Sequence, residues 1–218
     1  MRTVPPPTAL SARLRAGTAE VHAQTEAVPF LVELAAGRVG APAVAAYLSR
    51  LLPVYDALEE LAVTWRDDPA VAPLLVPGLE RADRLRADLV RLGEPALGDP
   101  ALGEPAPGAS VAAAGYAERV RRTGSGAPAY VAHHYTRYLG DLSGGQVVGA
   151  ALRSSLGLEL SFFAFPGLRG PAVKRAYREA LDALPWSPAE QEACVREAGT
   201  AFRWNAVLAD ELAVPSPG

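Results

Sequence analysis

The chain has 218 residues, half of them apolar and 21% charged, with a formal net charge of −3. That length and composition describe one globular domain rather than a disordered or many-domain chain. The slight acidic excess argues against nucleic acid as main partner, and the single cysteine, Cys194, excludes an intramolecular disulfide framework or a multi-cysteine metal site.

Residues 1–9, with Pro5, Pro6 and Pro7, read as a flexible end, and no apolar core follows Arg2 to make a signal peptide. Helices are predicted over about 10–26 and 29–38. From Ala43 to Trp65 the apolar set Val44, Leu48, Leu51, Tyr55, Leu58, Ala62, Trp65 steps by four and three, which is one buried helix face. Pro53 falls inside it and is expected to kink it. Helices over 77–92 and 110–123 follow, with Ser110 as a cap and Gly93 and Gly124 as stops. Between them, 94–108 reads EPALG, DPALG, EPAPG, too rich in Pro and Gly for a helix and so a polyproline-like surface loop. Further helices are predicted over 127–156 and 170–184, with a brief extended piece at Leu160–Phe165. Ser187-Pro188-Ala189-Glu190 is a capping box, and it opens a last helix whose stripe runs Cys194, Ala198, Ala201, Asn205, Leu208, Leu212. Residues 214–218 read as a second flexible end. No apolar run approaches the ~18 residues of a membrane span. The expected architecture is an all-α single domain over 10–213 with about eight helices, located in the cytoplasm.

Three places carry chemical interest. His22 has Glu26 one helical turn later and Arg15 two turns earlier, so a carboxylate can accept the proton of one ring nitrogen while the other binds something. A lone histidine of this kind is also, more simply, a satisfied and partly buried side chain. Gly140, Gly144, Gly145 and Gly149 fall within ten positions, although each glycine costs a helix about 1 kcal/mol. Either helices cross closely there, or the run is a loop, or backbone lies flat against a planar ligand beside the carboxylate of Asp141. Lys174 and Arg178 share a helix face, as solvated surface or as a seat for an anion. Tyr55 and Asn205 interrupt apolar stripes and need hydrogen-bond partners if buried, which suits structural anchors as well as active groups. No His-Glu-x-x-His, Gly-x-Ser-x-Gly, Walker or Glu-x-x-His di-iron pattern is present.

YTRYLGDLSGGQ at Tyr135–Gln146 resembles the signature of the haem oxygenases, and LRAGTAEVHAQTE at Leu14–Glu26 resembles that family's proximal helix. The likeness continues in order through the Tyr55 helix, FFAFPG at Phe162–Gly167, Lys174–Arg178 and Ala201–Leu212, covering about residues 10–213. It implies an all-helical fold that binds haem b between a proximal and a distal helix. His22 stands at the position of the axial iron ligand and Glu26 at that of its carboxylate neighbour. Gly140, Ser143 and Gly144 match the helix that packs on the haem face, and Phe202 matches a pocket residue. Arg15, Lys174, Arg178 and Tyr135 match positions that hold the propionates. Tyr55, Tyr116, Arg137, Asp141 and Asn205 match a catalytic distal water network, and His133 matches a histidine that is not the ligand. Ala19 stands where many relatives carry another basic residue, the 94–108 repeat departs from the usual connection, and no C-terminal membrane anchor is expected.

The implied reaction is oxidative cleavage of haem to biliverdin, carbon monoxide and ferrous iron, with attack at the α-meso carbon. It consumes molecular oxygen and electrons from an external ferredoxin or flavoprotein reductase. A monomer is the expected state. The alternative is a non-catalytic haem carrier or sensor.

Overall fold

The computed structural model describes residues 9–93, 110–123 and 126–212, and within them the chain is helical with no strand. In order come α1 (Leu10–Glu26), α2 (Pro29–Ala35), α3 (Ala41–Trp65), α4 (Ala82–Arg91), α5 (Val111–Arg121), α6 (Ala127–His134), α7 (Gln146–Leu156), α8 (Gly170–Asp182) and α9 (Pro188–Asp210). α6 and α7 are the two ends of one continuous run, joined through π-helical turns at Tyr135–Leu139 and Asp141–Gly145. Counted so, the described residues hold eight helical rods, as the apolar periodicity predicts. Residues 1–8, the 94–108 repeat, Gly124 and residues 213–218 lie outside the described set.

The apolar stripes become the core. Val44, Leu48, Leu51, Tyr55 and Leu58 of α3 are each at most 1% exposed, and α3 continues through Pro53. α9 buries Cys194, Ala198, Ala201 and Leu208, and lies against α1, α5 and α6. Close approach of α1 to α9 needs Gly17, because a Cβ there would run into the Val195 side chain. The caps form as read. Ser110 Oγ accepts the Ala113 N–H at 2.9 Å, and Ser187 and Glu190 complete the capping box. Gly93 takes a left-handed φ of +78° just past α4.

Three boundaries depart from the sequence reading. The helix expected at 77–92 begins only at Ala82, since Gly78 at φ +92° turns the chain beforehand. The helices expected to reach 38 and 184 end at Ala35 and Asp182. Residues 160–165 form no strand. Leu160 and Ala164 are extended, but Ser161–Phe163 between them is a 3₁₀ turn with no neighbouring strand.

That turn is held by two buried charges. Arg81, wholly buried, donates to the carbonyls of Phe162 (3.1 Å) and Ala164 (2.7 Å), as well as to those of Gly78, Leu79 and Glu80, and its guanidinium lies 4.0 Å from the centre of the Phe165 ring. Asp88, also wholly buried, accepts the N–H groups of Ser161 (2.9 Å) and Phe162 (2.7 Å). One side chain satisfies the acceptors of the loop and the other its donors, so Phe162 and Phe163 are fixed where they face the interior. α8 is anchored separately: His134 Nδ1 sits 2.7 Å from the Tyr177 hydroxyl and the two rings stack.

Asp88→Ala leaves the buried Phe162 N–H and the part-buried Ser161 N–H without this partner, and a loss of about 2–3 kcal/mol in urea-unfolding stability is expected. Burial holds the His134 imidazole down to about 3, against an ordinary 6.5. Between those values the unfolded chain binds a proton that the folded chain refuses, so stability falls as the pH drops below 6.5. The loss from this group is about 2 kcal/mol between pH 7 and pH 5. Urea midpoints at the two pH values, compared with those of His134→Gln, should show the variant to be less acid-sensitive.

Candidate functional site

A slot opens between α1 and the α6–α7 run. It has two compartments of about 510 and 440 Å³, and both are bounded by His22, Glu26, Thr136, Gly140, Gly144 and Phe202. They are two ends of one space. The larger end carries Arg15, Tyr135, Ser143, Lys174 and Arg178; the other is walled mainly by Leu31, Leu34, Val148, Phe162 and Phe163. One end is therefore cationic and the other apolar.

The α1 wall follows from helical spacing. Arg15, Thr18, Ala19, His22 and Glu26 recur at three- and four-residue steps and share a face. Thr25 Oγ donates to the Phe202 carbonyl at 3.1 Å, which ties this face to α9. The His22 ring meets the Phe202 ring edge-on, with centroids 5.0 Å apart, while Nε2 lies 3.6 Å from Glu26 Oε1. That separation is too long for a hydrogen bond. At Ala19 the slot has only a methyl group to meet.

On the opposite wall the glycine run is helical rather than a loop, and its members divide between the two remaining readings. A Cβ added at Gly140 or Gly144 would meet nothing within 4 Å, so this pair leaves the helix bare toward open space. A Cβ at Gly149 would stand 2.6 Å from Phe163 Cβ, so that glycine serves a close packing contact. A Cβ at Gly145 would lie at ordinary contact distance from Asp141 and Phe163. Both π turns fall in this stretch, and such widened turns gather at functional sites.

Behind the bare wall sits a buried polar group. Arg137 Nη1 donates to Asn205 Oδ1 at 2.7 Å, and its Nε and Nη2 donate to the Tyr55 hydroxyl at 3.0 and 2.8 Å. Nη2 also reaches Asp141 Oδ1 at 3.4 Å, and Tyr55 donates to Asp141 Oδ2. Burial pushes the Asp141 carboxyl above its ordinary range, with the Arg137 charge and the Tyr55 hydrogen bond pulling the other way. Burial likewise raises the Tyr55 phenol well above 10, so it remains a donor.

The sequence-predicted residues fall into three groups. His22, Arg15, Glu26, Tyr135, Gly140, Ser143, Gly144, Lys174, Arg178 and Phe202 all line the cationic end. Tyr55, Arg137, Asp141 and Asn205 form one connected network. Tyr116 does not join it by a direct hydrogen bond: its hydroxyl lies 3.5 Å from His133 Nδ1, and its ring stacks on Trp204. His133 is away from the slot, with Nε2 2.8 Å from Glu197 Oε1. Arg119 also binds Glu197, and although burial pushes that carboxyl up, the two partners hold it at about 2.

Sequence reasoning missed Tyr47, which lines the apolar end two turns before Tyr55 on α3 and packs against Phe30 at 5.6 Å. Its place on the face that carries Tyr55 was the available signal. Among the described residues no cluster of three or more His, Cys, Asp or Glu could hold a metal ion, and no helix is long and apolar enough to cross a membrane. A metal in this slot would have to arrive with ligands of its own.

Comparison with known proteins matches this arrangement to one family. The family model for heme oxygenase matches residues 8–211. A heme oxygenase of Takifugu rubripes is 34% identical over 209 residues, covering 93% of this chain and 74% of that protein. Among solved structures, the heme oxygenase of Leptospira interrogans superposes with a TM-score of 0.83 at 31% identity, covering 94% of this chain and 100% of that one. Heme oxygenase-1 of the cyanobacterium Synechocystis sp. PCC 6803, solved in complex with heme, gives 0.82 at 33% identity, covering 94% and 92%. The chain belongs to the haem oxygenase family.

Proposed function

We propose that the slot binds haem b, that His22 would hold its iron, and that the enzyme opens the ring at the α-meso carbon to give biliverdin, carbon monoxide and ferrous iron. The observation that carries this reading is the three-sided match of the slot to one ligand. An imidazole stands on one wall, a helix surface without side chains on the other, and cations at one end only. The residues fit the group: a Cβ at Gly140 or Gly144 would occupy space that a flat macrocycle needs, and the apolar end suits its ring edge. When bound, haem supplies both the iron that activates oxygen and the ring that is cleaved.

The chain's own residues do the rest. His22 would offer one ring nitrogen to the iron, and Glu26, 3.6 Å from the ring here, would close on the other when the ligand seats, fixing the tautomer and making the ligand more basic. Arg15, Lys174 and Arg178 hold two carboxylates by charge-assisted hydrogen bonds, with Tyr135 beside them. Gripping carboxylates at one end fixes the in-plane rotation and hence the carbon that is attacked. Asp141, held by Tyr55 and Arg137, has a carboxyl raised by burial and so keeps a proton more readily than a surface aspartate. It passes that proton into the slot through an ordered water. Leu34, Val148, Phe162 and Phe163 exclude bulk water at the apolar end. Electrons come from an external ferredoxin or flavoprotein reductase, and the enzyme works as a monomer in the cytoplasm.

The test is an absorption time course of the haem-loaded protein with reductant, oxygen and an iron chelator. Decay of the Soret band with a rising red biliverdin band, followed by chromatography showing the α isomer, is the expected result. A stable ferrous–oxy spectrum overturns turnover in favour of a haem carrier or sensor, and a dominant β or δ isomer overturns the proposed seating.

Asp141→Ala is expected to keep haem binding and the Soret band but to lower the biliverdin rate at least 100-fold, in keeping with the 10²–10⁴-fold of general acid catalysis. Turnover at the parent rate would remove Asp141 from proton delivery.

A further inference from the structure

Two contacts tie α8 to the α6–α7 run across the cationic end of the slot. Tyr177 stacks on His134 and fixes the helix itself. One turn closer to the start of α8, Lys174 Nζ donates to Ser143 Oγ at 3.2 Å, and that hydroxyl donates on to the Leu139 carbonyl at 2.8 Å. Among the described residues, Arg15 and Arg178 make no side-chain hydrogen bond or ion pair, so of the three cations at this end Lys174 alone is held in place. A lysine head is a compact charge on a flexible stem, and an anchor on the facing wall removes much of its freedom before any ligand arrives.

We infer that Ser143 is a positioning residue: it fixes the Lys174 ammonium and thereby sets the in-plane rotation of the macrocycle. This rests on the haem reading above. The chemistry allows it, because an ammonium has three N–H donors, so one on Ser143 leaves two for a propionate. The chain's own composition sharpens it: with Ala19 on the α1 side, that wall offers Arg15 alone, and the α8 side bears more of the grip. Ser143 is also next to Gly144 in the same π turn. The turn that presents bare backbone to the flat face thus also places the cation at its edge, so the height of the ring and its rotation are set together.

The experiment compares the parent protein with Ser143→Ala and Ser143→Thr, each loaded with ferric haem and inhibited by cyanide. Proton NMR of the haem methyl groups reports seating without turnover, and parallel titrations compare affinity for haem with that for its dimethyl ester. Loss of one hydrogen bond is expected to raise the minor seating about fivefold in Ser143→Ala and to reduce the preference for haem over the ester by a similar factor. Ser143→Thr, which keeps a hydroxyl, is expected to restore both. Methyl patterns and ester preference in Ser143→Ala equal to those of the parent overturn the inference while leaving the haem reading intact. Failure of the parent protein to give a haem complex overturns both.

Discussion

Arg137 places a guanidinium in the interior, 7% exposed, and that side chain cannot relieve its position by giving up a proton. A buried charge is tolerable only when oxygens surround it. Burial weakens the protonated form, yet Tyr55 and Asp141 overcome this and hold the guanidinium more firmly charged than in water. Tyr55 comes from α3, Asn205 from α9 and Asp141 from the turn that follows. A planar fork with fixed N–H directions therefore sets the mutual height of three rods. The polar interruptions in the α3 and α9 stripes are where that fork needs acceptors. With the rods set, the wall in front of Arg137 is set too.

Much of this was legible in the sequence. Three–four periodicity located α3 and α9, because burial of one face is a local pattern that survives any topology. The capping box at Ser187–Glu190 and the cap at Ser110 were readable for the same reason: donor and acceptor lie within four residues. The glycine cluster was readable as an anomaly but not as two different things. Gly140 and Gly144 face space while Gly149 faces Phe163, and only the path of the chain after α7 brings Phe163 there. The clasp of Arg81 and Asp88 on residues 161–164 was illegible throughout. Its partners are backbone groups more than seventy positions away, and backbone carries no residue-type signal. The direct neighbour of Tyr116 was illegible for a related reason, since a buried hydroxyl can turn to any partner and this one lies toward His133.

α9 shows how little of the slot is built by the residues that face it. The helix contributes Phe202, which meets the His22 ring, and Asn205, which meets Arg137, while its buried small residues let α1 and α6 come close. One rod thus registers both walls. Glu197 of the same rod, outside the slot, meets Arg119 of α5 and His133 of α6 and so braces α9 against both.

The two π turns give the facing wall a property that an α-helix of the same length would lack. Each widened turn holds one residue more than an α-turn, so exchanging one for the other slips the helical phase of everything beyond it by about 100°. Two such turns stand in series between Tyr135 and Gly145. α7 cannot follow a slip freely, because Gly149 is locked on Phe163 and Leu152 is wholly buried. α6 cannot follow either, because His133 and His134 are pinned from α9 and α8. Any change of winding is thus confined to the stretch that faces His22. The winding of that stretch is therefore fixed from outside the slot, by contacts that His22 and its surroundings do not supply.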